Sequence, residues 1–232
     1  MINMAKDLFS VREEEIFQTL KALSGREFVV IGGYAVNAYT LPRFSVDCDI
    51  VIKGSSELKK IERVLLKIGY KKEELSAELQ YSGSFSRYGK KLDNNFAVSM
   101  DILIQNVADR MTDVKFEADW IFENSKIRIL KGKTITKELK MRIIDINALL
   151  VMKIISCRST DIRDVFMMMP NADSSEWIKS EIIKRYNLKD RIKKILAKVN
   201  SKQFMDGLAG VYGRFDQKAF EKHKNAVMAL DS

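Results

Sequence analysis

The stretch Phe28–Ile52, FVVIGGYAVNAYTLPRFSVDCDIVI, sets the terms for the rest of the chain. Its four opening apolar residues, Phe28 to Ile31, predict a short buried strand that breaks at Gly32-Gly33. Tyr34 to Thr40 predicts a helix, Pro42 ends it, and Val46 to Ile52 predicts a second strand carrying Asp47 and Asp49. Residues two apart on a strand share a face, so both carboxylates point the same way from an otherwise apolar segment. Two such charges repel, and the arrangement costs stability unless a cation or a basic partner compensates. A local conflict of this kind marks a functional site.

Upstream, Lys6 to Leu23 reads as a helix, with Ile16, Phe17, Leu20 and Leu23 near a 3.6-residue period and Gly25 as its stop. Downstream, Gly54-Ser55-Ser56 predicts a turn and an N-cap for a helix from Glu57 to Ile68, whose Leu58, Ile61, Val64, Leu65 and Ile68 form one stripe. The polar segment from Gly69 to Asn95 fits either short strands or a mobile loop. The run FAVSMDILIQ, Phe96 to Gln105, predicts a buried strand in which Asp101 is the lone acid. Thr112 to Glu123 reads as a loop or short helix. Strands follow at Lys126–Leu130 and Thr134–Glu138, joined by Lys131-Gly132-Lys133.

From about residue 141 the pattern turns helical. Asp145 caps INALLVMKIIS, and Ser159-Thr160 opens DIRDVFMMM, which ends at Pro170. Amphipathic helices follow at Ser175–Tyr186, Asp190–Val199, Ser201–Leu208 and Asp216–Leu230, with GLAGVYGRF (Gly207–Phe215) as a flexible interruption. Layer logic then predicts an α/β (α+β) sheet domain over residues 1–140 and a helical domain over residues 141–232.

At 232 residues, 46% hydrophobic and 31% charged, the chain has the composition of a globular protein. No apolar run approaches the ~18 residues that span a bilayer, so no membrane is expected as a partner. The opening MINMAKDLFSVREEE lacks the apolar core of a signal peptide, and the two distant cysteines, Cys48 and Cys157, give neither a disulfide framework nor a zinc pattern. A cytoplasmic location is the expectation. The net charge of +9 favours polyanionic partners, although a modest basic excess is also common without function. Between Ser174 and the C-terminus, 13 Lys and Arg face 7 Asp and Glu, so the excess leans towards the helical half.

Asp47, Asp49 and Asp101 are three acids on two strands otherwise nearly free of charge. If the strands are neighbours, the carboxylates converge, and hard oxygen donors in that number suit Mg²⁺ or Mn²⁺. The alternative is that each acid pairs with Lys or Arg, or sits at a strand end in water. Gly32-Gly33, between strand and helix, offers backbone N–H groups to a triphosphate or makes a plain tight turn. Lys153 is the one cation within the apolar run Ile146–Ile155; it either meets phosphate or an acid, or snorkels to the helix edge. Asp164 is placed to pair with Lys153 or Arg43 and hold it in position. Met167–Met169 reads as core, Cys48 as a small buried hydrophobe and His223 as a solvent-facing histidine. Tyr81, Phe85 and Tyr88, beside Arg87, Lys90 and Lys91, either stack bases or pack in a hairpin.

The order strand, Gly-Gly, helix, R-x-S-x-D-x-D and a later lone Asp resembles the DNA polymerase β-type nucleotidyltransferase superfamily. Gly32-Gly33-Tyr34-Ala35 through Arg43–Ile50 is similar to its AbiEii-like group, which includes toxins of toxin–antitoxin systems. Leu149–Met169, LLVMKIISCRSTDIRDVFMMM, resembles that group's later block, with Met168 near where its final acid is expected. The resemblance implies a polymerase β-like mixed sheet flanked by helices. It also implies that Asp47, Asp49 and Asp101 ligate two metals, with Asp101 as general base. Gly32, Gly33, Arg43, Ser45 and Lys153 would hold the nucleotide. Gly33 stands where many members carry a hydroxyl, which Ser45 would supply instead.

The expected activity is transfer of a nucleoside monophosphate from an NTP to a hydroxyl, with release of pyrophosphate. The basic helical half favours an RNA acceptor such as a tRNA 3′ end, and the resemblance adds a toxin role with an antitoxin partner. The alternatives are modification of a small molecule or protein side chain, and a catalytically silent nucleotide- or RNA-binding module.

Overall fold

The computed structural model describes residues 2–74, 84–93, 96–213 and 216–231. The chain divides into two compact units. One comprises Met1–Ala38, Phe44–Ala108 and Lys115–Ile144; the other comprises Tyr39–Arg43, Asp109–Val114 and Asp145–Ser232.

The first unit is a mixed sheet with helices. Its elements run α1 (Ile2–Ala22), β1 (Val29–Val30), α2 (Gly32–Val36), β2 (Asp47–Ile52), α3 (Ser55–Lys67), β3 (Lys71–Lys72), β4 (Ser84–Asp93), β5 (Phe96–Ile104), β6 (Asn106–Ala108), β7 (Lys115–Glu117), α4 (Ala118–Glu123), β8 (Ser125–Leu130) and β9 (Leu139–Ile144). Among the described residues the main sheet has the order β3-β4-β5-β2-β1-β9-β8, and β6 and β7 form a separate pair. At its centre β2 runs parallel to β5, while β1 is antiparallel to β2 and parallel to β9. Cys48, Ile50, Ile52, Val98, Met100 and Ile102 alternate inward and are fully or almost fully buried, together with Ile16, Leu20, Ile61 and Leu65 from α1 and α3. Beneath them the buried hydroxyls of Thr19 and Tyr70 meet at 2.9 Å.

Several expected boundaries move, for local reasons. Helix α2 begins at Gly32 itself, so the Gly-Gly pair is its first turn and not a turn ahead of it. Gly54 is the N-cap of α3 through its backbone, and Ser55 already lies in the helix. The strand expected at Thr134–Glu138 does not form. The buried Glu13 carboxylate accepts from the Lys133 and Thr134 amides at 2.7 and 2.8 Å and from the Thr134 hydroxyl at 2.7 Å, occupying donors that a strand neighbour would need. The strand that pairs with β8 is instead Leu139–Ile144, so the sheet runs to Ile144 and the helical pattern begins a few residues after the expected 141, at the Asp145 cap. Its alternation places Met141 and Ile143 inside and Lys140 and Arg142 outside. The polar Gly69–Asn95 segment supplies β3 and β4; Tyr81, read as either stacking bases or packing in a hairpin, lies outside the described residues.

The second unit is helical: α5 (Ile146–Ser156), α6 (Ser159–Met168), a 3₁₀ turn (Met169–Asn171), α7 (Ser175–Ile183), α8 (Leu188–Val199), α9 (Lys202–Tyr212) and α10 (Gln217–Met228). Asp145 caps α5, accepting from the Asn147 amide at 3.2 Å. Helix α9 runs through Gly207 and Gly210, correcting the expected interruption, and stops at Gly213, whose φ of 84° suits glycine. The core gathers Leu150, Ile154, Val165, Phe166, Met168, Ile178, Ile195, Phe204 and Phe220. His223 is half-buried, not solvent-facing. Its ring stacks on Phe166 at 5.2 Å, and Nδ1 lies 2.9 Å from the Phe166 carbonyl oxygen. No described helix is long and apolar enough to cross a membrane.

Candidate active site

The parallel pairing of β2 and β5 settles which acids meet. Asp49 is the cross-strand partner of Asp101, and Asp47 of Ser99, so all three carboxylates share one face of adjacent strands. Asp101 is buried, with 6% of its surface exposed, whereas Asp47 keeps about two-fifths of its side chain open. The Asp49 carboxylate lies directly against Gly32. A β-carbon there would collide with it, and the φ of 64° also favours glycine. The backbone bond from Ile31 N to the Asp49 carbonyl, 3.0 Å, ties this turn to β2. Gly32 therefore serves first as the space into which Asp49 fits. Ser45 donates its hydroxyl to the Asp47 carbonyl at 3.2 Å.

Three further residues stand at this face that the sequence reading did not bring to the acids: Arg87, named there only beside the Tyr81, Phe85 and Tyr88 aromatics, Ser99 and Glu73. Arg87, on β4 directly opposite Asp101, grips it with a two-pronged fork: Nε to Oδ1 at 2.8 Å and a terminal nitrogen to Oδ2 at 2.6 Å. The same nitrogen lies 3.9 Å from Asp47 Oδ2. Ser99 donates to Asp47 Oδ1. The Glu73 carboxylate lies over Gly89 on the same side of β4, held there by the bond from its amide to the Arg87 carbonyl, 2.9 Å. The fork to Asp101, with the fields of Asp101, Asp47 and Glu73, outweighs desolvation and holds the Arg87 guanidinium firmly charged. On the opposite face of β2, burial and then the charges of Asp49, Asp101 and Asp47 push the Cys48 thiol far above its ordinary range, leaving it a neutral packing group.

Oxygen donors of this kind suit a hard divalent cation: carboxylates from register-paired positions, two of them, Asp47 and Asp49, partly open to solvent. Their partners include Arg87 and Ser99, and among the described residues no three acidic, histidine or cysteine side chains close up as a ligand cluster.

The remaining expected site residues belong to the helical unit. Asp164, on α6 and fully buried, takes both prongs of Arg43 at 2.8 and 2.6 Å and the Lys153 ammonium at 2.8 Å. Lys153 also reaches Asp161 at 2.8 Å. Burial alone would drive the Lys153 and Arg43 pKa values down, but the partner carboxylates reverse this and leave both raised. Asp164 is depressed for the complementary reason: desolvation opposes its charge, and Lys153 and Arg43 outweigh it. Lys153 is thus a buried, paired cation and not a snorkelling one.

No family profile matches the chain, and no curated protein matches it in sequence. Solved structures give weak likenesses. JHP933 from Helicobacter pylori is 14% identical with a TM-score of 0.49, covering 96% of this chain and 91% of its own. The lincosamide antibiotic adenylyltransferase LnuA with lincomycin bound is 18% identical with a TM-score of 0.45, covering 66% and 93%. Likenesses of this strength carry no weight for the activity.

Proposed function

We propose that the chain is a metal-dependent nucleotidyltransferase whose reacting centre is the Asp47–Asp49–Asp101 face. The observation that carries this reading is the register of β2 and β5, which sets Asp49 beside Asp101 and Asp47 two residues away on the same face. An apolar sheet core does not accumulate three acids without a compensating cation or substrate. Asp47, Asp49 and Asp101 would hold Mg²⁺ or Mn²⁺, which when bound polarises the α-phosphate and neutralises charge on the departing pyrophosphate. The acceptor oxygen forms a bond to the α-phosphorus as the bond to the bridging pyrophosphate oxygen breaks. Asp101, the most buried of the three, takes the acceptor's proton. In this reading Gly32 and Gly33, in the first turn of α2, and Ser45, ahead of β2, would hold the phosphate oxygens of the nucleotide. In this reading the basic excess of the C-terminal helices favours RNA as acceptor. The AbiEii-like resemblance adds the toxin role, tested by growth arrest on expression of the wild type but not of Asp49→Ala.

A second reading, a silent nucleotide- or RNA-binding module, is favoured by one observation: both Asp101 oxygens are engaged by Arg87. Incubation with each α-labelled NTP, Mg²⁺ or Mn²⁺ and total RNA separates the two. Label entering an RNA band, and absent with Asp47→Ala and Asp49→Ala, is the expected result. Label on protein or a small molecule would move the acceptor. Nucleotide binding without any transfer would favour the silent module.

A further inference from the structure

The Arg87 fork sits on the carboxylate that the proposed chemistry needs for its cation. Arg87 is a strand residue whose backbone is fixed by pairing with Asp101 on one side and by the Glu73 amide on the other. Its side chain is about one-third exposed, while Asp101 is almost closed off from solvent. A guanidinium matches a carboxylate in both shape and charge, and it satisfies the same two oxygens that a divalent ion would use. An arginine that leaves Asp101 needs somewhere else for its charge to go. Glu73 supplies that place, with its carboxylate laid over Gly89, the residue two along β4 from Arg87 on the same face. Gly89 keeps this seat open, since a β-carbon there would strike the Glu73 carboxylate.

We propose that Arg87 is a built-in competitor for the cation site: it holds Asp101 and screens Asp47 until a divalent ion displaces it towards Glu73. The inference rests on the metal-site reading above and extends it to a residue that grips Asp101 and lies near Asp47. Arg87 acts on the chemistry through those acids, as a positioning residue. Removing the fork frees Asp101, so the cation no longer has to break a charge-assisted pair before binding. Removing Glu73 takes away the alternative seat and makes displacement harder.

Mn²⁺ binding followed by electron paramagnetic resonance, with Mn²⁺ alone as the probe, tests this without catalysis. Arg87→Met is expected to bind Mn²⁺ about tenfold more tightly than the wild type or better, and Glu73→Gln more weakly. The melting temperature of Arg87→Met is expected to fall without the ion and to rise more steeply with it. Arg87→Gln, checked by its thermal transition, serves if the methionine variant does not fold. Equal affinity in wild type and Arg87 variants, or weaker binding in the variants, overturns the competitor role while leaving the metal site standing. If neither wild type nor variant binds Mn²⁺ at millimolar concentration, the metal-site reading itself falls and the competitor role with it.

Discussion

At the scale of single residues, the most consequential side chain of the helical unit is Asp164. One carboxylate, fully buried, neutralises much of the charge on both Arg43 and Lys153. Breaking a buried pair from one side strands the other charges, so Asp164→Asn is expected to cost about 3–5 kcal/mol, read from urea denaturation. The sign of the pH effect follows from the depressed pKa of Asp164. In the unfolded chain it protonates in the ordinary carboxylate range, in the folded protein only below it. Its contribution is therefore complete above that range and lost as pH falls through the depressed folded value, and Asp164→Asn should flatten this part of the acid-unfolding profile. Asp164 as a partner of Lys153 or Arg43 was legible in the sequence, because an isolated lysine in an apolar helix demands a carboxylate. That it serves both cations at once was not, since 121 residues separate Arg43 from Asp164.

Elements show where local pattern competes with tertiary demand. TITKE, residues 134–138, has the alternation of a strand, yet its first amide and that of Lys133 before it are taken by Glu13 from α1, and the pairing partner of β8 starts at Leu139. Glu13→Ala is expected to destabilise the protein by about 1–3 kcal/mol, the loss of the hydrogen bonds that its buried carboxylate accepts. Hydrogen exchange should show lost protection at the Lys133 and Thr134 amides, and unchanged protection there would remove Glu13 as the anchor. The β4–β5 pair carries a subtler case. Its ladder closes at Asp93↔Phe96, where partner numbers sum to 189, and beyond the bulge at Lys91/Asp93 they sum to 188. An unbroken ladder would have set Tyr88 opposite Asp101; the one-residue shift sets Arg87 there instead and turns Tyr88 to the core, where its hydroxyl meets Glu62 at 2.8 Å.

For the molecule as a whole, net charge carries the prediction. Lys189, Lys193 and Lys194 are exposed on α8. If the acceptor is RNA, binding should weaken steeply with salt. Lys193→Ala with Lys194→Ala should then flatten the slope of log affinity against log salt by about 0.7 for each phosphate that the variant no longer neutralises. An unchanged slope would direct attention to an acceptor of another class.

The acids Asp47, Asp49 and Asp101, the apolar strands that carry them and the helical C-terminal half are all written in local pattern, because period and burial follow directly from the order of apolar and charged residues. Tertiary structure alone decided the rest. Strand order and register made Asp49 and Asp101 partners. The bulge brought Arg87 onto Asp101, and a left-handed backbone at Gly32 gave the Asp49 carboxylate its place. Period can say which face a residue occupies. It cannot say what stands across from that face, since a one-residue slip between strands leaves the sequence unchanged and exchanges every partner.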